Sequence, residues 1–81
     1  MGILSAFRRR VDSSVTVSAV TYYEKGSAYS ANKDIYRAID QFTLAIRHDN
    51  KLTDAYIKRG EAFSITGDYD KAIEDYERAR Y

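Results

Sequence analysis

The chain has 81 residues, with 13 basic and 12 acidic side chains, a formal net charge of +1, no cysteine and no proline. This length predicts one small domain, which would hide only about 60% of the surface of its unfolded chain. The composition excludes disulfides and thiolate metal sites, offers no apolar run long enough to cross a membrane, and lacks the basic excess of a dedicated nucleic-acid binder.

Residues 1–18 are predicted to be an appendage to the folded part of the chain. On a helical wheel, the apolar side chains of residues 3–11 share one arc and three arginines occupy the rest. The apolar residues are Ile3, Leu4, Phe7 and Val11, and the arginines are Arg8, Arg9 and Arg10. We favour a short helix or tail that covers apolar surface of the following helices. A segment that contacts a membrane surface or targets an organelle is a weaker alternative, since about three turns are too short to hold a membrane alone. Residues 12–18 are either a linker or the start of the next helix.

Four helices are predicted downstream of the appendage, joined by short connections. They cover about Ala19 to Asn32, Ile35 to His48, Asp54 to Thr66, and Tyr69 to Arg80. Asp34, Thr53 and Asp68 are expected to cap the last three helices, because their side-chain oxygens can accept hydrogen bonds from the first helical turn. Gly67 has no Cβ and is expected to take the left-handed conformation that ends the third helix.

The two halves of this helical region repeat with a fixed period. The identical pairs, each 34 positions apart, include Tyr22 and Tyr56, Gly26 and Gly60, Ala28 and Ala62, Ala38 and Ala72, and Ala45 and Ala79. Such a period is typical of helical repeat proteins. We therefore predict an all-α fold of antiparallel helix-turn-helix repeats, a fragment of an α-solenoid.

The spacing of the repeated residues resembles that of the tetratricopeptide repeat. In both copies three aromatic residues alternate with a glycine and two alanines at the family's intervals: Tyr22, Gly26, Tyr29, Ala38, Phe42 and Ala45, then Tyr56, Gly60, Phe63, Ala72, Tyr76 and Ala79. The departures are Lys33, where the family often has glycine, and Asn50, where it often has proline. The resemblance predicts two repeats, residues 19–52 and 53–81.

These shared residues are expected to form the core. Gly26 and Gly60, together with Ala38 and Ala72, would let the two helices of each repeat approach closely, and the aromatic residues would fill the space around the contacts. A buried tyrosine needs a hydrogen-bond partner for its hydroxyl, which we expect in a loop or in water.

The resemblance implies a scaffold for protein–protein interaction. In this family the first helix of each repeat lines a concave groove that binds an extended peptide or a partner helix. The matching positions that we select here are Tyr23, Glu24, Ser27, Ile57, Lys58, Glu61 and Ile65. The apolar members could anchor a partner and the charged ones would set its polarity. An adaptor, a co-chaperone-like module and an assembly subunit stay open, and an amphipathic face without a ligand is the competing interpretation.

One subgroup of the family grips the C-terminal carboxylate of chaperones ending in Glu-Glu-Val-Asp, through a lysine and two asparagines. The matching positions here are Tyr23, Ser27 and Lys58, and none has the required residue. We therefore expect no such clamp in this chain.

No catalytic group of residues is visible. The single histidine, His48, ends the second helix without a cysteine or a second histidine, so we expect a solvent-facing or hydrogen-bonded side chain. The acidic residues around the last helix are interpreted as a cap and a solvated face: Asp68, Asp70, Glu74, Asp75 and Glu77. Four scattered glycines form no phosphate-binding loop. We predict that the chain is not an enzyme and uses neither a metal nor a cofactor.

An apolar stripe on the last helix is the second candidate site. Two repeats cannot fully bury it, so we expect it to be covered by self-association or by residues 3–11 of this or a neighbouring chain. The stripe comprises Tyr69, Ile73, Tyr76 and Tyr81, and its expected counterparts are Ile3, Leu4, Phe7 and Val11. A self-associating structural unit, natural or engineered, is therefore the alternative function. The sequence does not decide the compartment, although the cytoplasm is favoured.

Overall fold

Four α-helices make up most of residues 19–80, which are the part of the chain that this computed structural model describes. The described part of helix α1 comprises residues 19–31, and it is followed by α2 (Ile35–His48), α3 (Thr53–Thr66) and α4 (Tyr69–Arg80). No strand occurs between residues 19 and 80, and the all-α prediction is confirmed. The predicted appendage and the terminal Tyr81 lie outside the described residues.

Each helix packs against the next one in the chain, in antiparallel pairs. In the first pair, the ring of Tyr22 near the start of α1 lies 5.2 Å, between centroids, from the ring of His48 at the end of α2. Helix α3 packs against both α2 and α4, so it lies between the first hairpin and the last helix. The result is two helical hairpins stacked side by side, as the 34-residue period predicts.

Alanine dominates the interior of this stack. Six alanines are almost fully buried, and they come from all four helices: Ala19, Ala38, Ala45, Ala55, Ala62 and Ala72. Among the described residues Phe42 is the only large side chain that is fully buried, at 1% exposure. Small side chains allow the helix backbones to approach, and the ring of Phe42 fills space between them.

The two glycines of the repeat lie where a ring from the second helix presses on the first. A Cβ atom at Gly26 would lie 2.6 Å from Cε1 of Phe42, and one at Gly60 would lie 2.8 Å from Cε1 of Tyr76. Neither position accepts a side chain unless the ring moves, since packed carbon atoms stay about 3.5–4.0 Å apart. The prediction that these glycines mark close helix crossings is confirmed.

Both hairpins end their first helix with the same turn. The backbone N–H groups of Asp34 and Asp68 each donate to the carbonyl oxygen five residues earlier, both at 2.8 Å. Lys33 and Gly67 each donate to the carbonyl three residues earlier, at 3.0 and 3.2 Å, and both have positive φ, 70° and 89°. These are the bonds of a Schellman motif. The left-handed conformation predicted for Gly67 is confirmed, and Lys33 adopts it as well.

The predicted cap at Thr53 is wrong. Helix α3 begins at Thr53 itself, with Leu52 in the N-cap position and no side-chain hydrogen bond closing the helix end. The cause is the preceding turn, in which the N–H of Leu52 donates to the carbonyl of Asp49 (3.1 Å) and the carbonyl of Leu52 accepts from the N–H of Ala55 (3.0 Å). The backbone therefore already turns at Leu52, one residue before the hydroxyl side chain that the sequence suggests as a cap.

The predicted cap of α2 is right in position but not in its bonding. Asp34 does occupy the N-cap position, although its side chain makes no capping hydrogen bond. Its carboxylate instead lies 3.5 Å from Nε of Arg37, one turn into the helix. Side-chain capping therefore contributes little at the starts of α2 and α3.

Candidate functional site

The residues for which a binding role is predicted lie on α1 and α3, and their exposure varies. Glu24, Lys58 and Glu61 are exposed, Tyr23, Ser27 and Ile57 are half-buried, and Ile65 is exposed over 65% of its surface. Positions 23, 24 and 27 recur one repeat later as 57, 58 and 61, so the two helices present equivalent positions. We call this set of seven residues the α1/α3 face.

Tyr23 also takes part in the packing of the first hairpin. Its ring centroid lies 5.8 Å from that of Phe42, with the two ring planes inclined at 51°. Such a tilted contact between rings is favourable beyond the area that it buries. Removal of the Tyr23 ring would therefore weaken the fold as well as any binding, whereas Ile65 is free of this complication because of its exposure.

The charges of α3 on this face pair with each other. Nζ of Lys58 lies 3.8 Å from Oε1 of Glu61, one turn later, and both side chains are about half exposed. An exposed pair of this kind contributes little to stability. Both side chains can therefore turn towards a charged partner at a small cost to the fold.

A polar cluster that the sequence analysis missed joins α2, α3 and α4. Arg59 of α3 donates from Nε and Nη2 to the two carboxylate oxygens of Asp75 in α4, both at 2.8 Å. Its third nitrogen, Nη1, donates to Oγ1 of Thr43 in α2 at 3.2 Å. The guanidinium carbon also lies 6.0 Å from the ring centroid of Tyr56 and 5.6 Å from that of Phe63. Arg59 thus connects α3 to both of its neighbours.

The interpretation of Asp75 as part of a solvated helix face is wrong. Asp75 is only 2% exposed, whereas Glu74 and Glu77 on either side of it are exposed. The reason is its place on the helix, since it follows the buried Ala72 by one turn and precedes Ala79 by another, so it points to the interior. That spacing was the one signal in the sequence that Asp75 points inwards.

The first hairpin has no equivalent of this ion pair. The matching positions carry Lys25, which is exposed, and Gln41, whose Oε1 is buried without a hydrogen-bond partner. A neutral amide replaces the carboxylate, so there is no buried charge for a base to neutralise. The two hairpins therefore share their small and aromatic residues but not their polar contacts.

The apolar stripe predicted on the last helix is exposed where the structure describes it. Tyr69, Ile73 and Tyr76 lie along α4 at intervals of four and three residues. Tyr69 and Ile73 are exposed, whereas Tyr76 packs one edge of its ring on Gly60 of α3 and keeps 38% exposure. The remaining members of this second candidate site, Tyr81, Ile3, Leu4, Phe7 and Val11, lie outside the described residues.

Two surface depressions lie at helix ends, away from the α1/α3 face. One of about 260 Å³ is lined by Asn50, Lys51, Thr53, Tyr56 and Arg78, and one of about 330 Å³ is lined by residues 67–71. At the first, the hydroxyl of Tyr56 donates to the carbonyl oxygen of Asn50 at 3.1 Å, which confirms for this tyrosine the predicted loop partner. Within residues 19–80 no group of three or more histidine, aspartate or glutamate side chains is placed to hold a metal ion. None of the described helices is long and apolar enough to cross a membrane.

Comparisons with known proteins agree with this architecture. A family model described as tetratricopeptide repeat matches residues 19–51 and 53–79. DnaJ homolog subfamily C member 7 of Homo sapiens is 28% identical over 64 residues, which are 79% of this chain and 13% of that protein. Tetratricopeptide repeat protein 16 of Mus musculus is 32% identical over 72 residues, which are 89% of this chain and 9% of that protein. The chain thus spans roughly a tenth of the length of these curated relatives.

Proposed function

The chain belongs to the tetratricopeptide repeat family, and we propose that it is a scaffold whose α1/α3 face binds an extended peptide or a helix of a partner protein. Repeats of this family mediate binding to protein partners, and its members are generally without enzymatic activity. The finer statement, that binding takes place on the α1/α3 face of this chain, rests on the composition of that face.

The observation that carries the proposal is apolar surface on α1 and α3 that the fold leaves exposed. Ile65 contributes the largest part, and the half-buried Tyr23 and Ile57 lie at equivalent positions of the two helices. A single exposed apolar side chain is ordinary on a protein surface, but here two helices contribute apolar and charged residues at equivalent positions, which suits an interface with an apolar centre and a polar rim.

The charges of the face favour a partner of a particular kind. Glu24 and Glu61 outnumber Lys58, so the face has a net charge of −1 at neutral pH. The pairing of Lys58 with Glu61 further reduces the attraction that the lysine can exert on an acidic partner. We therefore expect a peptide that combines apolar anchors with basic rather than acidic residues.

Selection from a phage-displayed library of random peptides tests this proposal, with the full chain as bait. Enriched peptides should contain apolar residues with at least one lysine or arginine. Ile65→Ser should then raise the Kd of an enriched peptide at least about tenfold, while the midpoint of thermal unfolding stays unchanged because the side chain is exposed. Glu61→Lys should weaken binding of the same peptide and reduce its dependence on salt.

Tyr36→Ser provides the matched control. Tyr36 is an apolar side chain of α2 with 71% exposure, so its replacement removes similar surface from outside the α1/α3 face. Binding should be unaffected in this variant. If the selected peptides bind Ile65→Ser as tightly as the unmodified chain, or lose affinity for Tyr36→Ser instead, the binding site has been placed on the wrong surface.

A further inference from the structure

The outer face of α4 exposes side chains whose counterparts in the first hairpin are covered. Tyr69, Ile73 and Tyr76 are 64%, 56% and 38% exposed, whereas the residues 34 positions earlier, Ile35, Ile39 and Phe42, are half-buried or fully buried. The difference arises because α3 packs against α2, while no helix follows α4 within the described residues to pack against it in the same way. The outer face of α4 therefore leaves apolar surface that a further helix or an amphipathic segment could cover.

A row of acidic side chains borders this apolar face. Asp70, Glu74 and Glu77 are exposed and are spaced four and three residues apart, so they lie along one line of the helix, next to the stripe. No ion pair between described residues involves any of the three. Like charges at this spacing repel one another, and a basic partner would relieve that repulsion. The surface therefore suits a segment that is apolar on one side and positively charged.

We propose that the outer face of α4 docks residues 3–11 of a second copy of this chain. This segment has the required chemistry in its sequence. Its apolar residues, Ile3, Leu4, Phe7 and Val11, fall on one arc of a helical wheel, and Arg8 and Arg10 fall on the two borders of that arc. Arg9 falls on the opposite side of the wheel, so Arg8 or Arg10, depending on the direction in which the segment lies, borders the row of three negative charges. The apolar arc and the border arginines of the segment thus match the apolar stripe and the acidic row in sign.

The order of the helices explains why the docked segment comes from another copy. Helix α1 packs on α2, and α3 lies between α2 and α4, so α1 belongs to the first hairpin and the outer face of α4 closes the second. Residues 3–11 precede α1 in the chain. A contact that joins one end of a copy to the other end of the next is heterologous, and it extends into a ring or an open row of copies.

Sedimentation equilibrium of the full chain over a wide range of concentration tests this inference. The average mass should rise with concentration. Two charge-reversal variants should each shift the half-association concentration upwards at least about tenfold, because each leaves like charges facing each other. The first variant replaces Arg8, Arg9 and Arg10 by glutamate, and the second replaces Asp70, Glu74 and Glu77 by lysine. A mixture of the two variants should associate again, because each segment then meets a row of opposite charge.

Recovery in the mixture also shows that both variants are folded, so a loss of association cannot be attributed to unfolding. A third variant makes the same change in net charge as the second, with lysine in place of Glu24 and Glu61 of the α1/α3 face and of the exposed Asp54 in the first turn of α3. It should associate like the unmodified chain.

Three outcomes would overturn the inference. A chain that stays monomeric at every concentration would show that residues 3–11 of a second copy do not bind the outer face of α4. Loss of association in the α1/α3 variant alone would mean that the segment binds that face instead. Association that survives both charge reversals but is lost in Ile73→Ser would mean that two copies pack α4 against α4.

Discussion

At the scale of single residues, the contacts of Arg59 explain how a small core tolerates a buried charge. Two parallel N–H···O bonds to Asp75 satisfy both carboxylate oxygens, and the rings of Tyr56 and Phe63 lie within reach of the guanidinium group. A bidentate pair of this kind is among the stronger polar contacts in proteins, because each bond joins two charged groups. The pair offsets its desolvation only while both members are present.

Asp75→Ala should therefore destabilise the chain strongly. The substitution leaves Arg59 largely buried without its counterion, which costs about 3 kcal/mol when one partner of a buried pair is lost. That value is the lower end of the usual range, since the Arg59 side chain keeps 18% exposure. Urea denaturation followed by circular dichroism measures the effect as a lower midpoint.

Glu74→Ala is the matched control, since it removes a carboxylate from the adjacent, exposed position of α4. Its effect on the free energy of unfolding should stay within about 0.5 kcal/mol. The pair of substitutions Arg59→Met and Asp75→Leu should be less destabilising than Asp75→Ala, because no buried charge is then left unpaired. Equal effects of Asp75→Ala and Glu74→Ala would show that the ion pair does not stabilise the stack.

The sequence allowed the small residues of the core to be predicted, but not this ion pair. Gly26 and Gly60 recur at one position of a fixed period, and a glycine inside a helix is most easily explained by a close neighbour. The position that matches Asp75 in the first hairpin is Gln41, so the 34-residue period did not indicate a buried acidic residue. Only its spacing from Ala72 and Ala79 pointed inwards, and an acidic residue on a small helix is more often solvated.

At the scale of elements, the two hairpins make the same turn, but the left-handed residue of the turn is a lysine in one and a glycine in the other. The steric cost of positive φ therefore differs between them. Gly67 reaches positive φ without a steric penalty, whereas Lys33 must bring its Cβ close to the backbone to do so. The shared hydrogen bonds of the two turns show that the stack demands this conformation in both places. The first turn therefore stores strain that the second does not.

Lys33→Gly should stabilise the chain by about 0.5–1 kcal/mol, because glycine adopts the left-handed conformation without a steric clash of its own. The larger conformational entropy of glycine in the unfolded chain reduces this gain but does not cancel it. Thermal unfolding should show a higher midpoint. Lys33→Ala, which removes the charge but keeps the Cβ, should give no such gain, and Gly67→Lys should lower the midpoint. A gain from Lys33→Ala equal to that from Lys33→Gly would assign the effect to the lysine charge instead.

The helices themselves and the glycine that ends α3 could be predicted closely from the sequence, whereas the side-chain hydrogen bonds at the helix starts could not. The bounds predicted for α2 and α4 agree with the structure, because the apolar period and the turn residues mark their ends. The start of α3 differs by one residue, since the bonds of the turn at Asp49 decide where the backbone becomes helical. Which polar side chain closes a helix depends on such local geometry, and several of them compete in this sequence.

At the scale of the whole molecule, the period fixes the order in which the helices stack but not the use of the surfaces that result. Helix α3 packs against both α2 and α4, so it covers one side of α2. The 34-residue period thereby determines which sides of α1, α3 and α4 stay exposed. Exposed side chains take no part in that packing, and their roles depend on partners that are not encoded in the fold. We therefore propose different roles for the two surfaces. The α1/α3 face binds a peptide of another protein, and the outer face of α4 binds a second copy of this chain.

The most direct test of the account is to map a selected peptide onto the chain by nuclear magnetic resonance. A nitrogen-15-labelled chain is titrated with the peptide at a concentration below that of self-association. The backbone amide signals that move most should belong to the α1/α3 face, residues 23, 24, 27, 57, 58, 61 and 65, while those of the exposed sides of α2 and α4 should move little. The largest shifts on residues 69–77, or shifts spread evenly over all four helices, would contradict it.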